Sequence, residues 1–252
     1  MNIQKIRFKW IIGPIVLLII WNLASYFKVI NPIFMPSPIS VLKKGLNLTS
    51  QGILLKDLFL TTKRIFISFF LSVVIGIPLG LVLGSFDKIY ETCSVLIDFF
   101  RSIPGTALFP LFLLFFGLGD GAKIGNAVFA SSLIILINSM YGVKNANKIR
   151  SEVAKVMRAN RRTIFWKITL PDALPEIIGG LRIAVSICLI VIVVTEMFIG
   201  TKFGLGKRIM HAHEMFRISE MYVMIIITGI LGYFLNQFLL FLEKRYIYWA
   251  GR

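Results

Sequence analysis

The chain has 252 residues, of which 57% are hydrophobic, and its mean hydropathy is +0.81. The core of a soluble domain of this size does not need so much apolar surface, so the composition predicts a protein of the lipid bilayer. The formal net charge is +16, but Lys and Arg lie between apolar stretches rather than on one continuous face. This pattern argues against nucleic-acid binding and is typical of the flanks of membrane helices.

Apolar stretches that approach or exceed the length of a membrane span recur along the chain. They are 10–27, 65–86, 102–119, 124–143, 183–201 and 221–242. A helix needs about 20 residues to cross about 30 Å of hydrocarbon. The stretches lack the two-residue alternation of barrel strands, so we predict an all-α membrane protein with about six transmembrane helices. The first stretch resembles a secretory signal, but no small-x-small cleavage site follows it, and we expect it to be retained.

The predicted spans divide the chain into three parts. Residues 1–64 should form a transmembrane helix and an external segment, in which Pro36-Ser37-Pro38 precedes a short interfacial helix. Residues 65–245 should form the core, with a polar loop at about 144–175, and residues 246–252 a short cytoplasmic tail. If both termini lie on the same side of the membrane as the polar loop, that side holds 17 of the 28 basic residues, with Lys88 and Arg101 among them. The positive-inside rule then predicts that the loop and both termini are cytoplasmic.

The polar loop carries two short amphipathic patterns. The apolar residues at helical spacing, one group on each side of Asn160, are Val153, Val156, Met157, Ile164, Phe165 and Ile168. Asn160 suits a turn or a helix cap, and Pro171 and Pro175 are predicted to stop the second helix before the next span. Two such helices could dock in the groove of a partner protein. The alternative is an ordinary basic cytoplasmic loop.

A specific motif lies within this loop. Glu152 and Ala154 precede Leu170-Pro171 by about sixteen residues, with the aromatic Phe165 between them. The pattern resembles the "EAA" loop of ABC-importer permeases, which docks a separate ATPase subunit. Arg158 stands where that family usually has Gly, a residue that permits a tight turn between helices. The resemblance implies the following ATPase-coupling residues: Glu152, Val153, Ala154, Met157, Arg158, Phe165, Leu170 and Pro171.

Motifs elsewhere, over about residues 60–245, resemble the branch of these permeases that serves nitrate, taurine, aliphatic sulfonates and thiamine-related pyrimidines. They are Gly76-Ile77-Pro78-Leu79-Gly80, Arg101-Ser102-Ile103-Pro104, Phe109-Pro110-Leu111-Phe112, Phe116-Gly117-Leu118-Gly119, Gly180-Leu181-Arg182, Thr195-Glu196-Met197 and Gly204-Leu205-Gly206. The resemblance implies the type I ABC importer permease fold with a cytoplasmic coupling-helix loop. It also implies a homodimer in the plasma membrane, two ATP-binding subunits on the cytoplasmic face and an external solute-binding protein.

The function implied by the resemblance is passage of a small solute rather than catalysis. An oxyanion such as a sulfonate, taurine or nitrate is the first expectation, and a thiamine-precursor pyrimidine is the alternative. ATP hydrolysis is expected in a separate subunit, since this sequence has no Gly-x-x-x-x-Gly-Lys-Ser/Thr motif. No cofactor or metal site is predicted, because His211 and His213 are two residues apart and do not share a helix face. A self-sufficient secondary transporter, or a membrane anchor without a path, remains as an alternative class.

Candidates for the solute pathway are Glu196, Arg182, Pro104 and Pro110. Glu196 lies deep in a predicted span, where a charge is costly, so we expect it to face a cavity or a neighbouring helix rather than lipid. A structural hydrogen bond within the bundle is the alternative role for Glu196, and an interface anchor is the alternative for Arg182. The prolines break a helix at membrane depth, which is tolerated where protein or water covers the backbone.

Overall fold

The computed structural model describes the backbone of residues 3–198 and 200–246 and the side chains of 12–198 and 200–245. In this part of the chain the regular elements are helices, and residues 247–252 of the predicted tail lie outside it. In chain order the helices are α1 (Ile3–Tyr26), α2 (Pro38–Ser50), α3 (Ile53–Ser85), α4 (Asp87–Ser102), a 3₁₀ turn (Gly105–Leu108), α5 (Phe109–Phe116), α6 (Asp120–Lys144), α7 (Lys148–Val156), α8 (Arg161–Ile164), a π turn (Phe165–Thr169), α9 (Leu170–Met197), α10 (Leu205–Glu214) and α11 (Ile218–Tyr246).

Four helical segments are long and apolar enough to cross a membrane: Ile53–Ser85, Asp120–Lys144, Arg161–Met197 and Ile218–Arg245. They correspond to four of the predicted spans, and each is longer than the apolar stretch that predicted it. The bent pair α4–α5 supplies a fifth candidate, and the apolar part of α1 described with its side chains, Ile12–Tyr26, is a shorter sixth segment. The prediction of an all-α membrane protein is therefore confirmed.

The third predicted span, 102–119, is interrupted, as its prolines predicted, but its bounds differ from the predicted ones. The span begins earlier, at Asp87, and is bent by 87° between α4 and the following turn. Pro104 causes the break, because the residue before a proline avoids helical angles, and Ile103 is extended at φ −82° and ψ 123°. Pro110 lies in the first turn of α5, where a missing N–H costs no helical hydrogen bond.

The backbones of α3 and α6 are in close contact through one glycine stripe. A Cβ on Gly76 would lie 2.8 Å from the Cβ of Ile135, and one on Gly84 would lie 2.6 Å from the Cβ of Val143. Gly80 lies between them on the same face, so the stripe has the small-xxx-small spacing typical of packed membrane helices. Residue numbers rise together along both helices, so α3 and α6 are parallel. The segment 87–116 must therefore carry the chain back across the bundle.

The orientation of the other helices follows from similar contacts. Along α9 the contacts with α6 run in the opposite direction, since Gly142 lies against Ala173 and Gly180 against Asn138. Helix α11 is also antiparallel to α9, since Gly232 lies against Leu189 and Glu243 bonds to Arg182. The bundle thus has one end that carries α10 and the opposite end that carries residues 145–169. We call them the α10 end and the loop end.

Helices α1 and α2 lie against the start of α11. Trp21 of α1 stacks on Tyr222, with ring centroids 5.6 Å apart, and its Nε1 donates to the carbonyl of Pro36. The short helix predicted after Pro36-Ser37-Pro38 is present, and the Ser37 side chain caps it by accepting from the Ser40 amide. Trp21 lies near the C-terminus of α1 and is at the α10 end of the bundle. The N-terminus of α1 is therefore directed to the loop end.

Pro171 and Pro175 do not stop a helix, so that prediction was wrong. Pro171 lies in the first turn of α9, and Pro175 lies inside α9, which continues to Met197. The preceding π turn, in which the Leu170 amide bonds to the Phe165 carbonyl, adds one residue to the helical turn just before Pro171. Such a wide turn relieves the conflict between a proline ring and the carbonyl four residues before it. Arg161–Met197 is thus one helical segment of 37 residues.

Candidate functional site

The first loop helix, α7, is fixed at its start. The Asn147 side chain accepts from the Arg150 amide at 3.1 Å and so caps the helix. Asp172, in the first turn of α9, accepts from the Asn147 amide at 3.2 Å and from Arg150 Nη1 at 2.9 Å. Helix α7 is therefore attached to α9 by a carboxylate and not only by the chain that joins them.

The outer face of α7 is apolar and exposed. Among its predicted face residues, Val153 is 54% exposed and Val156 is 84% exposed, whereas Ala154 is buried against the following turn. Glu152 is also exposed, and among the described side chains its one ion-pair partner is Lys155 of its own helix, at 2.8 Å. An amphipathic helix normally buries its apolar face. Here Ala154 is the buried contact, and Val153 and Val156 are left uncovered by the described part of the chain.

The second loop helix, α8, begins at Arg161 and is capped by Asn160, as predicted. The Asn160 side chain accepts from the Thr163 amide at 2.7 Å, and Ile164 is buried. Phe165 is half-buried in the π turn, with its ring edge-on to Trp166. Leu170 packs on the buried cluster at the loop end of α6 and α9.

Arg158 keeps the tight turn that a glycine would favour. Its φ is +58°, in the left-handed region. The Ala159 amide donates to the Ala154 carbonyl at 2.9 Å, and the Arg158 amide donates to the Lys155 carbonyl at 2.9 Å. These two bonds close the end of α7 in the manner of a left-handed helix cap. The turn is therefore retained, with the steric cost that a side chain carries at positive φ.

Glu196 lies at the α10 end, at the last turn of α9, and is fully buried. Its Oε1 accepts from Arg64 Nη1 at 2.6 Å, and its Oε2 accepts from the Gly206 amide at 3.0 Å. The Thr61 hydroxyl lies 2.9 Å from Oε2. Glu196 thus faces the neighbouring helices α3 and α10, one of the alternatives expected from the sequence, and does not face lipid.

A second carboxylate completes this cluster. Asp57 is fully buried, and its Oδ1 accepts from the Gly204 amide at 2.9 Å while its Oδ2 pairs with Arg208 Nε at 2.8 Å. Arg64 also joins α6, since its Nε donates to Asp120 Oδ1 at 2.8 Å. The cluster ties α3, α6, α9 and α10 together at one end of the bundle.

The start of α10 is capped by side chains from other helices. Its first amides donate to Asp57, to the Thr61 hydroxyl and to Glu196. Negative groups at the positive end of a helix dipole are stabilised there, and these bonds satisfy amides that would otherwise be orphaned. Gly204 and Gly206 permit the approach, because a Cβ on Gly204 would lie 2.7 Å from the Glu196 carboxyl carbon and one on Gly206 would meet the Val193 carbonyl.

Sequence reasoning missed most of this cluster. Asp57, Thr61 and Arg64 are spaced four and three residues apart, which places them on one face of α3. That polar face at the start of an apolar run was the available signal. Their partners Glu196 and Arg208 lie more than 130 residues away in sequence, so the pairing itself carried no local signature.

The four pathway candidates do not meet at one point. Arg182 is fourteen residues from Glu196 on α9, or about 21 Å along the helix. Its Nε donates to Asn236 Oδ1 at 3.3 Å and its Nη1 to Glu243 Oε2 at 3.2 Å, beside a groove of about 790 Å³. Pro104 and Pro110 are exposed at the bend between α4 and α5.

Arg101 occupies a different position from the one predicted. The ring of its neighbour Phe100 lies 5.7 Å from that of Phe129, in the middle of α6 and not at the loop end. Arg101 pairs with Asp98 at 3.2 Å, and both side chains are more than half exposed in the single chain. Lipid is an unfavourable environment for such a pair at this depth. The Asp98–Arg101 pair therefore requires water or another protein surface beside α4.

These features define a multi-pass membrane protein with an uncovered amphipathic helix at its loop end, and the comparisons with known proteins specify the family. Residues 76–248 match the family model of the binding-protein-dependent transport system inner membrane component. The chain belongs to this family, whose members are permease components of ABC importers.

Named relatives cover nearly the whole chain. A putative ABC transporter permease of Methanocaldococcus jannaschii is 30% identical over 94% of this chain and 90% of its own length. The taurine transport system permease protein TauC of Escherichia coli is 30% identical over 94% of this chain and 87% of its own. A solved inward-facing MetNI methionine ABC transporter is 23% identical, with a TM-score of 0.68 over 80% of this chain and 97% of that chain. The last likeness confirms the ABC importer permease fold.

Arg158→Gly is expected to stabilise the loop. Glycine removes the steric cost of positive φ, about 1 kcal/mol. The Ala159 amide, which closes the turn, should then exchange with solvent about fivefold more slowly in hydrogen-exchange measurements. Arg161→Gly, which changes a helical residue of α8, is the control and should not slow exchange at Ala159. Faster exchange at Ala159 in Arg158→Gly would contradict the left-handed turn.

The Arg64–Glu196 pair is expected to stabilise the bundle. Removing one partner from a buried ion pair costs about 3 kcal/mol because the other charge is left without compensation. We expect Arg64→Gln and Glu196→Gln each to lower the free energy of unfolding, and the double variant to lose at least about 1 kcal/mol less than their sum. Chemical denaturation in detergent micelles measures the free energies of unfolding of the parent, the two single variants and the double variant, which together form a double-mutant cycle.

The exposed pair Glu152–Lys155 provides the matched control for that cycle. Its coupling should be below about 0.5 kcal/mol, since exposed ion pairs contribute little. Additive effects for Arg64 and Glu196, equal to those of the exposed pair, would contradict a stabilising role for the buried cluster.

Proposed function

We propose that this chain is one half of a homodimer that forms the translocation path of an ATP-driven importer for a small solute. Two ATP-hydrolysing subunits bind at the loop end, and an external solute-binding protein delivers the solute at the α10 end. The observation that carries this proposal is α7, a capped helix held to α9 with its apolar residues turned outward.

Helix α7 has the properties needed to fit a groove in a partner. Ile149 and Met157 extend the exposed apolar face, at 76% and 77% exposure. Helix-in-groove recognition uses apolar anchors at this helical spacing. In the proposed contact Glu152, Val153 and Met157 meet the ATPase, while Ala154 and Arg158 set the shape of α7. The proposed connection to the membrane helix runs through Phe165, Leu170 and Pro171.

The attachment of α7 to α9 supports a mechanical role. Because Asp172 holds both the Asn147 amide and Arg150, a displacement of α7 by the ATPase also displaces the start of α9. A ligand shifts a conformational equilibrium only through different interactions with the two states. ATP binding would supply that difference in the ATPase subunits, and α7 would carry it to the path.

The loop end is proposed to be cytoplasmic. From Lys144 to Lys167 the sequence has eight basic residues and the single acid Glu152, which is the bias expected on the inner side. The described start of α1 and end of α11 are both at this end of the bundle. The same orientation therefore places both termini in the cytoplasm.

A second copy of the chain is proposed to cover α4. The Asp98–Arg101 pair is exposed on the surface of α4, about halfway along the bundle. At this depth, contact of charged groups with the hydrocarbon of the bilayer is energetically unfavourable. A twofold axis brings identical surfaces together. Such an axis beside α4 would place the pair at the protomer boundary or in the water of the path, and would put the exposed Pro104 and Pro110 beside the path as well.

An oxyanion is the proposed solute. In the described chain the α10 end carries eleven Lys and Arg residues against five Asp and Glu residues, and a positive surface raises the local concentration of anions. The relatives named for taurine, aliphatic sulfonate and nitrate transport, at 26–30% identity, agree with this choice. A pyrimidine is the second candidate, since a formylaminopyrimidine permease is 29% identical over 87% of the chain.

Glu152→Lys is expected to uncouple ATP hydrolysis from uptake. The substitution reverses a charge on the exposed face of α7 while leaving the cap and the Asp172 contacts in place. Solute uptake into proteoliposomes that contain the ATPase and the binding protein should fall at least about tenfold, equivalent to about 1.4 kcal/mol at the contact. Glu214→Lys, an exposed change at the opposite end, is the control and should retain the ATPase on purification. Unchanged uptake and unchanged ATPase binding in Glu152→Lys would refute the docking assignment.

The orientation can be measured by cysteine labelling. In a Cys93→Ser and Cys188→Ala background, an impermeant maleimide should label Glu214→Cys in intact cells. Val156→Cys, on the exposed face of α7, should react only after the cells are made permeable. Labelling at position 156 from outside would overturn the proposed orientation.

A further inference from the structure

A small cationic pocket lies at the start of α10, at the opposite end of the bundle from the loop helices. Its volume is about 130 Å³, and it is lined by Asp57, Lys202, Gly204, Lys207, Arg208 and His211. Small-molecule sites usually have volumes of about 300–1,000 Å³, whereas this pocket corresponds to the liquid volume of about four water molecules. Its size therefore suits the end of one side chain.

The pocket carries an excess of positive charge. Arg208 Nε donates to Asp57 Oδ2 at 2.8 Å, so these two charges offset each other. Lys202 and Lys207 have no hydrogen-bond or ion-pair partner in the described chain. Two ammonium groups beside one pocket repel each other, and an anion bound there would offset that repulsion.

Two of the lining side chains also have nitrogen atoms without partners. The Arg208 side chain makes its one contact through Nε, which leaves both Nη atoms unbonded among the described residues. His211 Nδ1 is buried and has no hydrogen-bond partner there either. A buried polar atom without a partner is energetically costly, and guanidinium and imidazole N–H groups both donate to carboxylate oxygens. The first amides of α10 do not contribute, because they already donate to Asp57, Thr61 and Glu196.

The pocket lies outside the lipid. Asp57 is eight residues before Ile65, where the apolar run of α3 begins, or about 12 Å along the helix axis. The headgroup layer adds about 5–7 Å to each side of the hydrocarbon. Lipid phosphate groups therefore do not reach the pocket, and an anion that binds there comes from the aqueous side.

An exposed aromatic ring lies next to the pocket. Phe203 precedes Gly204 and is 37% exposed, and Lys56 Nζ lies 3.5 Å from the centre of its ring. At this distance from the hydrocarbon, lipid does not cover the ring. Aromatic and arginine side chains are enriched at the buried centres of protein interfaces, so the surroundings of the pocket favour a protein ligand over a dissolved ion.

We propose that this pocket docks a carboxylate side chain of the external solute-binding protein, with the carboxylate oxygens bonded to Lys202, Lys207 and Arg208. The proposal rests on the importer function and names the surface that holds the binding protein. A contact between opposite charges speeds association and fixes orientation. The first turn of α10 is bonded to Glu196 at the end of α9, so the docked protein is attached to the same helix that continues into the loop.

The test uses the complex of permease and ATPase in phosphatidylcholine nanodiscs and a binding protein with which the parent complex shows ATP-dependent uptake. Surface plasmon resonance measures the Kd of docking. Lys202→Glu and Lys207→Glu should each raise this Kd at least about tenfold, and neither substitution removes a contact within the described chain.

Lys43→Glu is the matched control, since it makes the same charge change at an exposed lysine of α2 outside the pocket. It should change the Kd less than about threefold, because salt screens charges that are far from the contact. Parental affinity in both pocket variants, or an equal loss of affinity in Lys43→Glu, would overturn the proposal.

A carbodiimide cross-link identifies the docked carboxylate. The reagent activates a carboxyl group, and a lysine amine in contact with that group displaces the urea and forms an amide. Mass spectrometry of the docked complex should find Lys202 or Lys207 joined to one Asp or Glu of the binding protein. Changing that acid to Lys should weaken docking to the parent and improve docking to Lys207→Glu at least about tenfold. A dissolved anion in the pocket would give neither the cross-link nor the improved docking, and that result would refute the assignment.

The same complexes separate this inference from the proposed function. If the pocket variants dock and transport like the parent while Glu152→Lys still uncouples uptake, the pocket assignment fails and the importer function stands. If the parent complex shows no ATP-dependent uptake with any tested binding protein, the proposed function fails, and the pocket assignment fails with it.

Discussion

The contact between α3 and α6 determines the topology of the whole bundle. Gly76, Gly80 and Gly84 bring the two backbones together, and a Cβ at any of them would collide with α6. Because the two helices are parallel, the chain between them must recross the bundle. The recrossing segment is the broken pair α4–α5, which brings Asp98 and Arg101 to mid-depth. The unusual polar features of this region are thus consequences of one tight helix pair.

The two ends of the bundle differ in how their polar groups are satisfied. At the α10 end, the buried carboxylates of Glu196 and Asp57 are bonded to arginines and to the first amides of α10, so they need no water. At the loop end, Glu152 and the apolar face of α7 are exposed. Closed polar networks make a region rigid, whereas an uncovered amphipathic helix requires a partner. The chain therefore has a fixed end and an end suited to assembly.

The sequence predicted most of the fold, because apolar runs report membrane spans through length and composition alone. The runs behind α3, α6, α9 and α11 were long, and Glu196 was the one charged residue in them. The broken span was not predicted in full, since α4 contains Asp98 and Arg101 and does not look like a membrane helix by composition. Pro104 indicated an interruption of the helix, but the angle between α4 and the segment after it depends on packing against Phe129 and Ala130 of α6.

The candidate sites were predictable to different degrees for physical reasons. The Asn160 cap is a local interaction and could be predicted from neighbouring residues. The ion-pair cluster joins residues that are far apart in sequence, so only the polar face of Asp57, Thr61 and Arg64 gave a signal. Pro171 misled because the helix-breaking rule applies to regular α-helical turns, whereas here a π turn precedes it. Pro175 misled because α9 accommodates it in its interior. The left-handed angle of Arg158 could not be predicted from a residue type that normally avoids it.

The continuity of the helix from Arg161 to Met197 has a geometric consequence. Thirty-seven helical residues extend over about 55 Å, longer than the hydrocarbon core is thick. A rod of that length is a lever: a tilt of about 10° around one end displaces the other by about 10 Å. Small rotations imposed beside the loop would thus become movements the size of a solute molecule at the far surface, without any change in the internal structure of the helix.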